Sequence, residues 1–248
     1  MKKVFFLLLF TTFLSISLAN KASLMIGYST KSAVEHQIPR RAEVLFLGNT
    51  STHHNSSKYA PWLSIPLFKA GINLTYTVDT NDLNAENLSR YDGLIIYANY
   101  NTMSPAKEKA LRDFVEGGKG LIPLHSASAC FTNSAWYAQT VGAQFKSHKT
   151  GDFIAKNVNT THPVMKGISE FETWDETYVH SNINPDMTIL QERMDGATRE
   201  PYTWVRNQGK GRVFYTAYGH NDSTWRKPNF LKLVENGVLW AVGDQVNE

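Results

Sequence analysis

The chain has 248 residues, of which 42% are hydrophobic, and its 25 basic and 22 acidic residues give a net charge of +3 at pH 7. This length predicts one large domain with an ample core. The weak charge and the lack of any block of Lys or Arg argue against a nucleic-acid partner. A single cysteine, Cys130, excludes an internal disulfide.

The first 19 residues have the pattern of a secretory signal peptide. Lys2 and Lys3 precede an apolar run over residues 4–14, and small residues lead to Ala19. The run is short for a membrane span. We therefore expect a secreted or periplasmic protein that leaves the membrane once the leader is cleaved; retention of the leader as an anchor is the alternative. Residues 20–41 are predicted to form an N-terminal extension, and residues 42–243 the folded domain.

The first half of that domain alternates strands and helices. Strands are predicted at 43–48, 91–98 and 120–124, where the residues are mostly apolar, and at 73–78, where apolar and polar residues alternate. A helix over 58–70 ends at Gly71, with Pro66 expected to kink or split it, and a second helix begins with Ser104 as N-cap and Pro105 at its first position. Such alternation favours a parallel sheet with right-handed crossovers.

The second half contains closely spaced strand patterns with few helices between them. They predict an antiparallel addition to the same sheet or a small second sheet. The predicted strands are 151–157, 171–173, 187–191, 202–206 and 212–218. Helices are predicted over 132–140 and 229–242.

Histidines follow several of these strands. His125 comes directly after the apolar strand 120–124, His220 follows strand 212–218, and His54 lies in the loop after the first strand. Ligands of open α/β sheets bind at the carboxyl ends of the strands. We therefore expect the three imidazoles to share one cleft, with His148 and the acidic pair Asp175 and Glu176 as further members.

Three kinds of chemistry fit this set of residues. One is general acid–base catalysis by histidine and a carboxylate. Another is a divalent metal site, although no spacing matches a known metal motif. The third is nucleophilic catalysis by Ser126 or Cys130, for which the G-x-S-x-G elbow is absent. Phosphate-binding motifs are also absent from the sequence.

Aromatic residues in the second half favour a sugar ligand. Rings beside carboxylates and amides suit sugars, whose C–H faces stack while their hydroxyls accept and donate hydrogen bonds; packing in the core is the alternative for each ring. The residues concerned are Trp174, Tyr178, Trp204, Tyr218 and Trp225.

Six segments in this order resemble the ThuA-like family, named for a trehalose-utilisation protein. The last of them, residues 209–220, reads GKGRVFYTAYGH, and the resemblance covers about residues 42–243. The other segments are 124–127 (LHSA), 145–148 (FKSH), 162–167 (HPVMKG), 175–178 (DETY) and 201–204 (PYTW). Trp225 follows shortly after segment 209–220.

The resemblance implies an α/β, flavodoxin-like three-layer sandwich related to class I glutamine amidotransferases, with a mostly parallel central sheet and an added antiparallel portion. In that group a nucleophilic Cys follows a central strand and a His follows a late strand. Here those positions match His125 and His220, while Cys130 lies five residues too far along. Glutamine amidotransferase activity is therefore not expected, and the family context implies metabolism of disaccharides or keto-sugars derived from them.

The hypothesis at this stage is an exported ThuA-like enzyme that acts on a saccharide by acid–base chemistry, as a sugar isomerase, lyase or hydrolase. Its partner is a small saccharide; no cofactor is required, a divalent metal is left open, and so is a homo-oligomer. A non-catalytic carbohydrate-binding protein and a metal-dependent hydrolase are the alternatives. The predicted catalytic residues are His125, His220, Asp175 and Glu176. The predicted substrate-binding residues are His54, Ser126, His148, Tyr178, Trp204 and Trp225.

Overall fold

The computed structural model describes residues 40–49, 51 and 53–243. The predicted leader over residues 1–19 and nearly all of the predicted extension over residues 20–41 lie outside these residues. Within them, no helix is long and apolar enough to cross a bilayer.

The strands, numbered along the chain, form one large sheet and two small ones. They are β1 (Ala42–Gly48), β2 (Ile72–Thr77), β3 (Gly93–Tyr97), β4 (Gly120–Pro123), β5 (Gln144–Ser147), β6 (Thr150–Ile154), β7 (Lys156–Asn157), β8 (Glu172–Glu176), β9 (Val179–Ser181), β10 (Thr188–Asp195), β11 (Thr198–Gln208) and β12 (Gly211–Thr216).

The large sheet has eight strands in the order β2-β1-β3-β4-β12-β11-β10-β7. The first five are parallel, and the last three continue the sheet in antiparallel fashion. Strands β5 and β9 pair with each other, as do β6 and β8. This topology confirms the predicted fold class, a flavodoxin-like α/β sheet with an added antiparallel portion.

Helices cover the sheet. They are α1 (Ser56–Lys69), α2 (Ala85–Leu88), α3 (Pro105–Glu116), α4 (Ala135–Val141), α5 (Asp222–Trp225) and α6 (Pro228–Val242). Helices α1 and α6 contact each other; α1 contacts β1 and β2, and α6 contacts β3, β4 and β12. The last helix lies very close to the sheet, because a Cβ on Gly120 would stand 2.8 Å from the backbone of Ala241.

Buried apolar strands form the centre of the core. All five residues of β3 and all four of β4 are buried, as expected for parallel strands covered on both faces. The sequence patterns predicted these strands because their apolar runs are continuous. The same is true of α3, where the Ser104 hydroxyl accepts the N–H of Lys107 as predicted for an N-cap.

Helix α1 differs from its prediction in two ways. It begins at Ser56 rather than Lys58, because the Asn55 side chain accepts the N–H of Lys58 and acts as the N-cap. It also continues through Pro61 and Pro66 to Lys69, so the predicted split at Pro66 does not occur. Gly71 follows with a φ of 88°, as the predicted stop requires.

Candidate functional site

His125 occupies a sharp turn at the carboxyl end of β4. Its φ is 47°, a left-handed value that is uncommon outside glycine, and it begins a 3-10 turn over His125–Ala129. Gly219, with a φ of 134°, lies against it, since a Cβ there would stand 3.3 Å from the Cβ of His125. Strain of this kind persists where the surrounding structure holds it, and it clusters at functional sites.

The structure brings together His54, His125, Glu176 and His220, which we call the histidine–glutamate cluster. One side-chain nitrogen or oxygen from each of the four lies within 4.8 Å of the others. These residues come from the β1–α1 loop, the end of β4, the end of β8 and the segment after β12. The side chains at these strand ends therefore lie close together, as expected from the sequence.

The hydrogen bonds of His125 define its tautomer. Nδ1 lies 2.7 Å from the carbonyl oxygen of Ala217, which can only accept, so Nδ1 carries a proton. The other nitrogen, Nε2, lies 3.2 Å from Oε2 of Glu176 and 3.2 Å from the hydroxyl of Tyr178. The His125 side chain is fully buried, and the Tyr178 ring stacks on it with centroids 4.5 Å apart.

Glu176 is the only carboxylate of the cluster in the described part of the chain. Besides its contact with His125, its Oε1 lies 3.2 Å from Nδ1 of His220 and 3.5 Å from Nδ1 of His148. Burial alone would raise the pKa of Glu176, but the nearby imidazoles outweigh burial and lower it to about 2. Glu176 is therefore ionised at neutral pH.

His54 is 7% exposed and is held neutral by its surroundings. Burial, reinforced by the neighbouring His125, lowers its pKa to about 3. Among the described residues, neither ring nitrogen of His54 has a hydrogen-bond partner. Nδ1 of His220 also lacks one, since its contact with Glu176 does not have hydrogen-bond geometry, and burial lowers the pKa of His220 as well.

Asp175 lies outside the cluster although it precedes Glu176. Its carboxylate is fully buried and accepts the backbone N–H groups of Glu176, Gly219 and His220 and the hydroxyl of Thr224. These four donors occupy both oxygens. The predicted catalytic role of Asp175 does not fit this geometry; it is a positioning residue that fixes the segment carrying His220.

Two predicted substrate-binding tryptophans are also part of the core. Trp204 is fully buried, donates its indole N–H to the carbonyl of Val141 and stacks on Tyr215. Trp225 is fully buried, donates to the carbonyl of Gly219 and stacks on Tyr59. Neither ring offers a face to a ligand, which corrects the prediction that they contact a substrate.

The other predicted binding residues lie beside the cluster. His148 is half-exposed at its rim, with 38% of its side chain accessible, and Tyr178 is buried against His125. Ser126 is buried next to His125 in the chain, and within the described residues its hydroxyl has no hydrogen-bond partner.

Trp174 is a site residue that the predicted residue set omitted. Its ring is 38% exposed and its centroid lies 6.4 Å from that of His220. Side chains alternate between the two faces of a strand, so Trp174 and Glu176 project from the same face of β8. The predicted strand ends at residue 173, and only a strand that continues to Glu176 reveals this shared face.

Nucleophilic catalysis by Cys130 does not fit the structure. The thiol is 3% exposed, and burial raises its pKa.

An apolar groove between α1 and α6, lined by Trp62, Ile65 and Leu231, contains none of the four cluster side chains.

Comparisons with known proteins agree on one family. The family model ThuA, described as trehalose utilisation, matches residues 43–241. A ThuA-like protein from Bacteroides uniformis is 20% identical with a TM-score of 0.69, covering 84% of this chain and 94% of that one. Another, from Parabacteroides merdae, is 18% identical with a TM-score of 0.71, covering 84% and 92%.

The same fold occurs within a larger protein. A β-galactosidase from Rahnella sp. R3 is 12% identical with a TM-score of 0.55, and the match covers 78% of this chain but 30% of the β-galactosidase. No curated protein matches the chain.

Proposed function

The chain belongs to the ThuA family, described as trehalose utilisation, and on that premise we propose that it is an enzyme acting on a disaccharide or a keto-sugar derivative. The chemistry is proton transfer at the histidine–glutamate cluster. The observation that carries the proposal is the buried contact between His125 and Glu176, with neutral His220 beside it.

We assign different roles to His125 and His220 in this proton transfer. Nε2 of His125 lies 3.2 Å from Oε2 of ionised Glu176, and a proton held between these two atoms would make the pair a general acid. Burial lowers the pKa of His220, so its ring is neutral and one of its two nitrogens carries a lone pair that can act as a base. Proton removal beside a sugar carbonyl by His220, with proton donation to the carbonyl oxygen by His125, forms an enol. If the carbon that lost the proton carries a hydroxyl, return of the proton to the former carbonyl carbon and loss of that hydroxyl's proton complete an isomerisation. If the next carbon carries a leaving group, the enol hydroxyl gives up its proton as the carbonyl re-forms, the leaving group departs with a proton, and the result is an elimination.

The arrangement argues against glycoside hydrolysis by the usual two-carboxylate mechanism. That mechanism needs two carboxyl groups on opposite sides of the scissile bond. Among the described residues of the cluster, Glu176 is the single carboxylate, since Asp175 is occupied by its four donors.

Trp174 and His148 supply a binding surface for the sugar in this proposal. Both are partly exposed and lie beside the cluster, on the side where it reaches solvent. An indole face stacks on the C–H face of a pyranose, while the imidazole exchanges hydrogen bonds with hydroxyls.

The proposal is tested with keto-derivatives of disaccharides in deuterated water. We expect deuterium to enter the carbon beside the carbonyl, detected by NMR, and we expect His125→Ala to lower the turnover rate by about 100-fold or more. His162→Ala is the matched control, because His162 lies in a turn near Trp240, away from the cluster. Turnover unchanged in His125→Ala would exclude the acid–base role. Sugar binding by the wild type without any turnover would favour the non-catalytic alternative.

We propose export as part of this function, on the basis of the leader pattern in residues 1–19. The mass of the protein recovered from the producing cell tests it. Loss of 19 residues is the expected result, and recovery of the full-length chain from the soluble cell interior would contradict export.

A further inference from the structure

We infer that the histidine–glutamate cluster is a binding site for one divalent first-row transition-metal ion, with His54, His125, His220 and Glu176 as ligands. The inference concerns the same site as the proposed function but rests on no property of the proposed substrate. A bound ion would take His125 and His220 out of the proton-transfer roles proposed above, so metal binding and proton transfer by these two imidazoles are alternatives that the test distinguishes.

The first argument is the need for positive charge between His125 and Glu176. Because Nδ1 of His125 donates to Ala217, Nε2 of a neutral ring is an acceptor, and it faces both a carboxylate oxygen of Glu176 and the hydroxyl of Tyr178 at 3.2 Å. The single proton of Tyr178 can satisfy the nitrogen but does not remove the contact between the nitrogen and the carboxylate. Two acceptors at this distance repel each other unless a proton or a cation lies between them. A proton or a metal ion would each satisfy the contact between His125 and Glu176.

The second argument distinguishes a metal ion from a proton. One proton pairs His125 with Glu176 but leaves, among the described residues, both nitrogens of buried His54 and Nδ1 of His220 without partners. A buried polar atom without a partner destabilises the folded state. One metal ion accepts a lone pair from each of the three imidazoles and from the carboxylate, so it satisfies one donor atom on all four side chains at once.

The third argument is the chemistry of the ligand set. Three imidazoles and one carboxylate suit Zn²⁺ and its first-row neighbours. In a tetrahedral site with bonds of about 2.0–2.1 Å the ligand atoms are about 3.3 Å apart, so the observed spread of up to 4.8 Å requires only short side-chain movements. The carbonyl of Ala217 fixes the His125 tautomer with Nε2 toward the ion, as outer-shell partners of metal-bound histidines do.

A bound ion would polarise a substrate carbonyl oxygen, provided that its coordination number leaves a position open. In that state the imidazoles of His125 and His220 are ligands rather than proton carriers. Half-exposed His148, 3.5 Å from Glu176, is then the nearest remaining imidazole for proton transfer.

The test is metal binding by the full-length chain after treatment with a chelator. Zn²⁺ is titrated by calorimetry, and Co²⁺ by its visible absorption, which reports the number and geometry of the ligands. We expect one ion per chain and a higher melting temperature in its presence. We expect His54→Ala to weaken Zn²⁺ binding by about 100-fold or more and to abolish the thermal shift. His53→Ala is the matched control, because His53 is exposed and adjacent in the chain.

His220→Ala serves as the second ligand variant, since His220 is only partly buried and tolerates truncation better than the interior residues. Absence of stoichiometric metal in the wild type, or unchanged binding in both ligand variants, would overturn the metal site. If turnover then persists and depends on His125, proton transfer by the imidazoles stands. Metal binding that is lost in both variants supports the site even if no sugar is turned over, in which case the proposed function fails alone.

Discussion

Asp175 and Glu176 are consecutive residues of β8, yet their carboxylates serve opposite sides of the strand. Glu176 faces the imidazoles of His125 and His220, while Asp175 binds the backbone of Gly219 and His220 from behind. The carboxylate of Glu176 thus belongs to the site, while that of Asp175 positions the backbone that carries His220. Substitutions at the two positions should therefore have different effects.

Glu176→Gln should abolish most activity while leaving the fold intact. The amide keeps the size of the side chain but removes the negative charge that the imidazoles face. We expect the turnover rate to fall by about 100- to 10,000-fold, with the circular dichroism spectrum unchanged. Glu172→Gln, an exposed position on the same strand, is the control. A rate within threefold of wild type would show that the carboxylate plays no part in the reaction.

Asp175→Asn should lower stability first. The amide retains one acceptor oxygen but brings an NH₂ group against donors that need an acceptor. We expect the free energy of unfolding to fall by about 1–3 kcal/mol, measured by urea denaturation. Because Asp175 acts through the backbone of His220, turnover should fall through kcat at an unchanged pH profile. A shifted pH profile would instead indicate direct proton transfer by Asp175.

Trp174→Ala should weaken sugar binding without affecting the fold. The ring is partly exposed beside His220, so its removal deletes a stacking surface but leaves the core filled. We expect KM to rise about 2- to 13-fold, as loss of 0.5–1.5 kcal/mol of aromatic contact predicts, with kcat little changed. Trp240→Ala, on α6 against His162, is the control. Equal KM values in Trp174→Ala and the wild type would remove this ring from the binding surface.

Gly219→Ala should impair both stability and activity. A φ of 134° is strained for any residue with a Cβ, and the new methyl would press on the Cβ of His125. We expect a loss of about 1–3 kcal/mol in stability and a lower turnover rate. Gly167→Ala is matched, since it has a φ of 73° and open space around it. It should lower stability but keep the turnover rate; equal rates in both variants would count against the His125 contact.

Acid should destabilise the protein through Asp92. Burial alone would raise the pKa of this carboxyl, but hydrogen bonds from Arg40, the N–H of Glu43 and Lys119 outweigh burial and lower it to about 2. Because the folded-state pKa lies below the unfolded one, its contribution is complete above about pH 4. That contribution, on the order of 2 kcal/mol, is lost as the pH falls toward 2.

Urea denaturation at pH 7 and at pH 2.5 measures this effect. Asp92→Asn should lose stability at pH 7 and show a smaller acid dependence than the wild type. Asp113→Asn, which removes an exposed carboxylate paired with Lys109, should keep the wild-type dependence. Identical acid dependence in Asp92→Asn and the wild type would contradict the assignment.

The parallel half of the sheet could be predicted from the sequence because its strands are buried on both faces. The continuous apolar runs of β1, β3 and β4 identify them without reference to tertiary contacts. Strands β5 and β9 have three or four residues each, and they pair only with one another. Segments so short carry too little periodicity to be distinguished from loops, so the sequence pattern does not predict these two strands or the one-turn helix α2.

The site could be predicted in part. Strand ends identified His125 and His220, but a strand of unknown register does not reveal which of Asp175 and Glu176 faces a cleft. Composition favoured Trp204 and Trp225 as ligand contacts, although their N–H groups are bonded to interior carbonyls. Such bonds depend on long-range packing that no local pattern encodes.

The order of strands in the large sheet has a consequence for synthesis. Strand β4 is central in the finished sheet, yet its neighbour β12 is made only after the whole stretch between Pro123 and Gly211. Until then the apolar edge of β4 has no strand to cover it, and exposed edges of this kind template pairing between chains. If the first four strands pair before β12 is made, the edge of β4 is open to other chains until β12 inserts and delivers His220 to the site.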